Sequence, residues 1–164
     1  MIGKFLFIFL LSILLGTSTE RKGTKEFVQK ESDIVGTLTI PKISLEQELY
    51  PIGHEENTIE KHVSILKEST SPKEENSIMI LAAHSGTGEI AFFEELDQLK
   101  IGDSLFLTYQ EENYEYVVIE IWEEEKNGFI HLNQRKEKQL VLTTCHPKKE
   151  KKQLIVNGIL KESY

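Results

Sequence analysis

Gln139-Leu140-Val141-Leu142-Thr143-Thr144-Cys145 is the stretch from which the reading of fold and chemistry starts. Its apolar and β-branched residues read as a strand, and residues 153–160, Gln153-Leu154-Ile155-Val156-Asn157-Gly158-Ile159-Leu160, read as the strand that pairs with it. Successive side chains on a strand point to opposite faces, so Val141 and Thr143 share the face of Cys145, while Thr144 and His146 point away. Cys145 is the only cysteine in the chain and has no partner for an internal disulfide. A lone cysteine becomes a nucleophile candidate when a histidine elsewhere in the chain can reach it. His146 diverges from it along the strand and reads as a surface histidine before Pro147. His84 is the better candidate. It follows the apolar run at 77–83, a buried strand, and opens the turn His84-Ser85-Gly86-Thr87-Gly88. If the two strands are neighbours with aligned ends, imidazole and thiol can approach. A nearby imidazolium favours the thiolate, and the imidazole can later move a proton. From the residues alone, the dyad and an inert buried thiol beside a turn histidine stay equally open.

Working outward, residues 35–40 alternate and stop at Pro41, and residues 46–50 form a second strand closed by Pro51. Asn57 is placed to cap a short helix reaching Lys61, with Glu60 as its capping-box partner. Residues 67–76 are polar, contain Pro72 and read as a loop. Phe92, Phe93, Leu96 and Leu99 predict an amphipathic helix over 90–99. Residues 104–109 and 114–123 predict a hairpin around Glu111-Glu112-Asn113. In its second strand Tyr114, Tyr116, Val118 and Glu120 should share one face, and Glu115, Val117, Ile119 and Ile121 the other. About seven short strands and two minor helices make an all-β fold, a closed or nearly closed barrel or a sandwich. A parallel doubly wound fold is disfavoured, because long helices do not separate the strands.

The chain has 164 residues, room for about one domain. Hydrophobic content of 39% and charged content of 28% fit a globular body. A net charge of −8 argues against a nucleic-acid partner, since phosphate binding needs a basic face. The N-terminus differs in kind. Lys4 precedes the apolar run at 5–15, the pattern of an export signal. The run is shorter than the roughly 20 residues of a comfortable membrane span, yet a short signal anchor fits. No Ala-x-Ala cleavage pattern follows, which favours an uncleaved anchor over a cleaved signal, and no cysteine follows, which excludes a lipoprotein. The expected organisation is an anchor or signal over 1–16, a polar tether over 17–33 and a folded domain over 34–164. His54, His62 and His131 are scattered, and no grouping has zinc-ligand spacing. No metal or other cofactor is expected. The acidic runs Glu111-Glu112 and Glu123-Glu124-Glu125 read as solvated faces.

Several segments in order resemble one family: Gly36-Thr37-Leu38-Thr39-Ile40-Pro41-Lys42-Ile43, Ala82-Ala83-His84-Ser85-Gly86, Phe93 and Leu96, Gly102-Asp103, Tyr114-x-Tyr116-x-Val118 and Leu142-Thr143-Thr144-Cys145. Together they are similar to the sortases, over residues 34 to about 162. The strand-terminal Thr-Cys with an upstream Ala-His is the more specific part. The resemblance implies a closed eight-stranded β-barrel and a membrane-anchored cysteine transpeptidase of Gram-positive bacteria, a cysteine endopeptidase of the hydrolase class. It would act on the extracytoplasmic face of the membrane. Its substrate would be a Leu-Pro-x-Thr-Gly-type sorting signal, cut between Thr and Gly. The acyl group would pass to an amine on a cell-wall precursor or a pilin lysine, which anchors surface proteins.

Carried over by motif, Cys145 would be the nucleophile of a thioacyl intermediate, and His84 would protonate the leaving amine and deprotonate the incoming one. Ala82, Val141 and Thr143 would line the substrate groove on the cysteine face, and Thr144 counts with them as substrate-binding. The connection 123–138 is expected to set specificity. The family's third catalytic residue is an arginine just before an apolar run on the strand after the cysteine. Here the run is Leu154-Ile155-Val156 and the preceding residue is Gln153. A glutamine donates two hydrogen bonds from a neutral amide and can serve a developing oxyanion, but it supplies no charge. Lys148, Lys149, Lys151 and Arg135 are the candidate replacements for that charge, and Lys152 should face away. The departure leaves an alternative: a sortase-like barrel that binds peptides with weak or no turnover. Other cysteine enzyme arrangements fit less well. L,D-transpeptidases cluster Ser, His, Gly and Cys closely in sequence, and papain-like peptidases place Cys before His at a helix start.

Overall fold

The computed structural model describes residues 33–133, 135–146 and 148–164. The expected anchor at 1–16, and the tether at 17–33 except for Asp33, lie outside the described residues. Among those described, no helix is long and apolar enough to cross a membrane.

Eight strands follow one another: β1 (Gly36–Ile40), β2 (Leu45–Leu49), β3 (Ser64–Ile65), β4 (Ile78–Ala82), β5 (Ser104–Tyr109), β6 (Glu112–Glu125), β7 (Gln139–Cys145) and β8 (Lys152–Ser163). They form one sheet in the order β2-β1-β5-β6-β8-β7-β4-β3, curled into a nearly closed barrel. Every neighbouring pair is antiparallel except β4 and β7, which run parallel. The inner face carries the main core, including Leu38, Ile40, Leu81, Leu105, Tyr116, Leu140, Leu142 and Val156. Each fully buried side chain of this kind contributes about 1.5–3 kcal/mol. Gly36 belongs to the same construction: a Cβ there would lie 2.1 Å from the carbonyl oxygen of Thr108 on β5, so β1 reaches its neighbour only with glycine.

The structure differs from the sequence reading at four places. Asn57 caps no helix. Its side chain pairs with the backbone of Ile65, Nδ2 donating to the carbonyl at 2.9 Å and Oδ1 accepting the N–H at 2.7 Å. This side-chain mimicry of a strand partner supports β3, a strand too short to stand out in the sequence. The expected helix over 90–99 is a series of tight turns ending in a 3-10 turn at Leu96–Gln98. Its backbone bonds span three residues, as from Glu94 to Ala91, Leu96 to Phe93 and Leu99 to Leu96. Phe93, Leu96 and Leu99 are the buried residues, and their spacing of three matches a three-residue turn rather than the α-helical 3.6. The hairpin turns at Gln110-Glu111, both at positive φ (47° and 69°), with Tyr109 paired to Glu112. That is a two-residue turn whose twist suits the flanking strands. Finally, a bulge between Val118 and Glu120 exchanges the faces of β6. Tyr114, Tyr116 and Val118 are in the main core as expected, but beyond the bulge Ile121 turns inward. Glu120 turns to the other side, where it meets Arg135 at 2.7 Å.

Candidate active site

Two adjacent parallel strands build the site. β4 and β7 pair from Ile78 opposite Gln139 to Ala82 opposite Thr143. His84 and Cys145 each stand two residues beyond that last pair, so both lie at the same end of neighbouring strands, whose paired backbones are spaced about 5 Å. Hydrogen bonds lock the ends together. Thr144 Oγ1 donates to the Ala83 carbonyl at 2.7 Å, and Ser85 Oγ donates to the Cys145 carbonyl at 2.6 Å. They bracket His84 on both sides. The His84 carbonyl accepts from Phe93 N–H at 3.0 Å, which fixes the following turns beneath it. Glu60 lies near His84. Its carboxyl is held below the usual range, chiefly by the hydroxyl of Thr58 and its own backbone, with a smaller contribution from His84.

Cys145 is partly accessible, unlike the rest of β7. Ala82, Val141 and Thr143 share its face, as strand alternation requires. Val141 is fully covered, within a second apolar cluster with Ile80 and Ile155 against which Trp122, Ile130 and Leu132 pack. It is packed away within that cluster and has no open surface. Thr143 is 7% exposed and Ala82 is partly exposed. Thr144 lies on the opposite, inner face, its hydroxyl engaged by Ala83, and it fixes the strand end instead of sharing the cysteine face.

Gln153 stands directly opposite Cys145 on β8. Its Nε2 donates to Glu124 Oε1 at 2.9 Å and to the Phe129 carbonyl at 2.6 Å, which commits both amide hydrogens. Burial pushes the Glu124 carboxyl up, but hydrogen bonds from His131 and Gln153 outweigh it and hold it below its ordinary value.

Three of the four cations expected to replace an arginine are engaged elsewhere. Lys148 pairs with Asp97, Lys149 with Glu123 and Arg135 with Glu120. Lys151 sits exposed in the turn before β8 at a φ of 60°. Lys152 pairs with Glu125. The cation beside the sulfur is one that sequence reasoning missed: Lys126 Nζ lies 3.0 Å from Cys145 Sγ. Nothing in the sequence points to it, because it follows the end of β6, which is separated from β7 by β8 in the sheet. His146, expected on the surface, has a side chain only 8% exposed. Its Nδ1 accepts from Lys148 N–H at 3.0 Å, and its Nε2 meets Glu123 at 2.9 Å. Among the described residues no group of three or more His, Cys, Asp or Glu is placed to hold a metal ion.

Such an arrangement suits covalent chemistry at sulfur: a partly accessible thiol, an imidazole at the adjoining strand end and an ammonium in contact with the sulfur. Comparison with known proteins agrees. Residues 38–161 match the sortase domain family. The chain is 32% identical over 133 residues to sortase D of Bacillus subtilis (strain 168), covering 80% of this chain and 64% of that protein. It is 25% identical over 136 residues to sortase A of Bacillus anthracis, covering 79% of this chain and 61% of that one. It therefore spans less than two thirds of the length of these curated relatives. Among solved structures it is similar to sortase C of Streptococcus pneumoniae, with a TM-score of 0.70 and 29% identity over 81% of this chain and 70% of that one. The chain belongs to the sortase family.

Proposed function

We propose that this protein is a cysteine transpeptidase that cleaves a Leu-Pro-x-Thr-Gly-type sorting signal between Thr and Gly and transfers the acyl group to an amine. Cys145 attacks the threonyl carbonyl carbon, and the sulfur–carbon bond forms as the carbon–nitrogen bond to glycine breaks. His84 gives its proton to the departing amine. In the second half, the incoming amine gives a proton to His84 and attacks the thioester, and the sulfur leaves as thiolate. The acceptor is an amine of a cell-wall precursor or a pilin lysine. The solved structure of S. pneumoniae sortase C bears on pilin substrate specificity, which supports a pilin as one acceptor here. The enzyme works on the extracytoplasmic face, held to the membrane by its N-terminal segment.

The observation that carries this reading is the aligned exit of His84 and Cys145 from parallel β4 and β7, bracketed by the Thr144–Ala83 and Ser85–Cys145 bonds. The engaged amide of Gln153 favours a second reading, a barrel that holds the sorting signal and turns it over poorly. One experiment separates them. The full chain is incubated with a panel of Leu-Pro-x-Thr-Gly-type peptides and triglycine and followed by intact mass, with Cys145→Ala alongside. An acyl adduct on the parent together with triglycine-ligated product, both absent from Cys145→Ala, supports the transpeptidase. Peptide binding without an adduct supports the second reading.

A further inference from the structure

We infer that Lys126 is a catalytic residue of this site, supplying the positive charge that the neutral amide of Gln153 lacks, with Gln153 as the residue that positions it. This rests on the reading of Cys145 as the nucleophile.

The contact of 3.0 Å between Lys126 Nζ and Cys145 Sγ is the starting point. Three strands generate it. Glu124 is opposite Gln153 on β8, and Gln153 is opposite Cys145 on β7. Lys126 follows the end of β6, and its N–H donates to the Lys151 carbonyl at 2.7 Å, which extends the β6–β8 ladder by one step. Gln153 then grips the chain on both sides of Lys126, at Glu124 before it and at Phe129 after it. Between those points the chain closes through Asn127 and Gly128. Asn127 N–H donates to the Glu125 carbonyl at 2.9 Å, its Oδ1 accepts from Phe129 N–H at 3.0 Å, and Gly128 takes a φ of 88° that suits glycine. His131 adds a second grip on Glu124 at 2.9 Å.

Charge points the same way. The neighbouring cations Lys148, Lys149, Lys152 and Arg135 each pair with a carboxylate. Lys126 makes no ion pair among the described residues, and its ammonium is on the sulfur. When sulfur bonds to a carbonyl carbon, the carbonyl oxygen comes within about 3 Å of the sulfur, inside the reach of the same ammonium. A lysine there can hold the sulfur anion before attack and the oxyanion after it. The place of one arginine is thereby shared: Gln153 holds the turn with its two hydrogen bonds to Glu124 and Phe129, and Lys126 brings the charge.

Cys145 is the only cysteine, so alkylation of the protein reads this position alone. The full chain and the variants Lys126→Met, Lys126→Arg and Gln153→Ala are alkylated with iodoacetate and with iodoacetamide. The ratio of the two rates reports charge beside the sulfur, because only the first reagent is an anion. The ratio should fall about fivefold in Lys126→Met and stay within about twofold in Lys126→Arg. Gln153→Ala should lower it by a smaller factor, as Lys126 loses its clamp. With a sorting peptide that the parent turns over, Lys126→Met should lower kcat about 10- to 100-fold with KM within about twofold. An unchanged alkylation ratio in Lys126→Met, or an equal fall in Lys126→Arg, overturns the role of Lys126 while leaving Cys145 as nucleophile. A parent protein that forms no acyl adduct on Cys145 with any peptide overturns the nucleophile reading, and this inference with it.

Discussion

The two faces of the β7–β8 pair are made of the same strands but behave as different materials. The inner face presents Leu140, Leu142, Leu154 and Val156, all part of the main core. The outer face runs from Val141 and Ile155, which are fully covered, through Thr143 to Cys145 and Gln153, which are partly exposed. The inner face gains by uniformity, since each buried apolar atom adds to the same close-packed cluster. The outer face is graded: apolar in the middle, where Trp122, Ile130 and Leu132 cover it, and polar at the end where the thiol emerges. A chemical group can be placed at that end without disturbing the barrel because the barrel is held from its other side.

The comparison breaks first, and most severely, at the thiol. Cys145→Ala should abolish acyl-adduct formation and reduce transfer at least about a thousandfold, while leaving the thermal midpoint within a few degrees of the parent. If the midpoint collapses, the two faces are not separable. Leu142→Ala tests the inner face: it should cost about 2–5 kcal/mol in urea unfolding. Thr143→Val, one residue away on the outer face, leaves no cavity and should cost less than Leu142→Ala in the same measurement. Gly36→Ala sharpens the point far from the site. The added methyl group meets the Thr108 carbonyl, so stability should fall by roughly 1–3 kcal/mol with the Cys145 alkylation rate unchanged.

The smallest effect concerns pH. The folded-state carboxyl of Glu124 lies below its ordinary value, where the net shift comes from His131 and Gln153 acting against burial. A depressed folded value adds stability above the unfolded-state pKa, and that increment disappears as pH falls through the folded value. From about pH 5 downward, the parent should therefore lose more thermal stability than Glu124→Gln. Equal losses would remove Glu124 as the clamp on the 126–129 turn.

Both faces of β7 could be read from alternation alone, and so could the inward set Tyr114, Tyr116 and Val118 on β6. The alternation failed at Ile119, because a bulge adds a residue to one strand only, and no local preference marks where its partner will fall out of step. The turns over 90–99 looked helical because apolar residues three and four apart fit both periods. The bonds that chose three were decided by what Phe93 packs against and by the His84 carbonyl that holds its N–H.

By itself the sequence determined which residues could do chemistry: one cysteine at a strand end and one histidine at another. Those are properties of residue type and local period, and they survive in any fold that keeps the strands. Only the tertiary structure decided that β4 lies parallel to β7 with their ends level, and that β6, across β8, delivers Lys126 to the sulfur. Both facts depend on pairing between segments far apart in the chain. Strand order and register are fixed by the burial of the whole sheet rather than by the composition of any one strand.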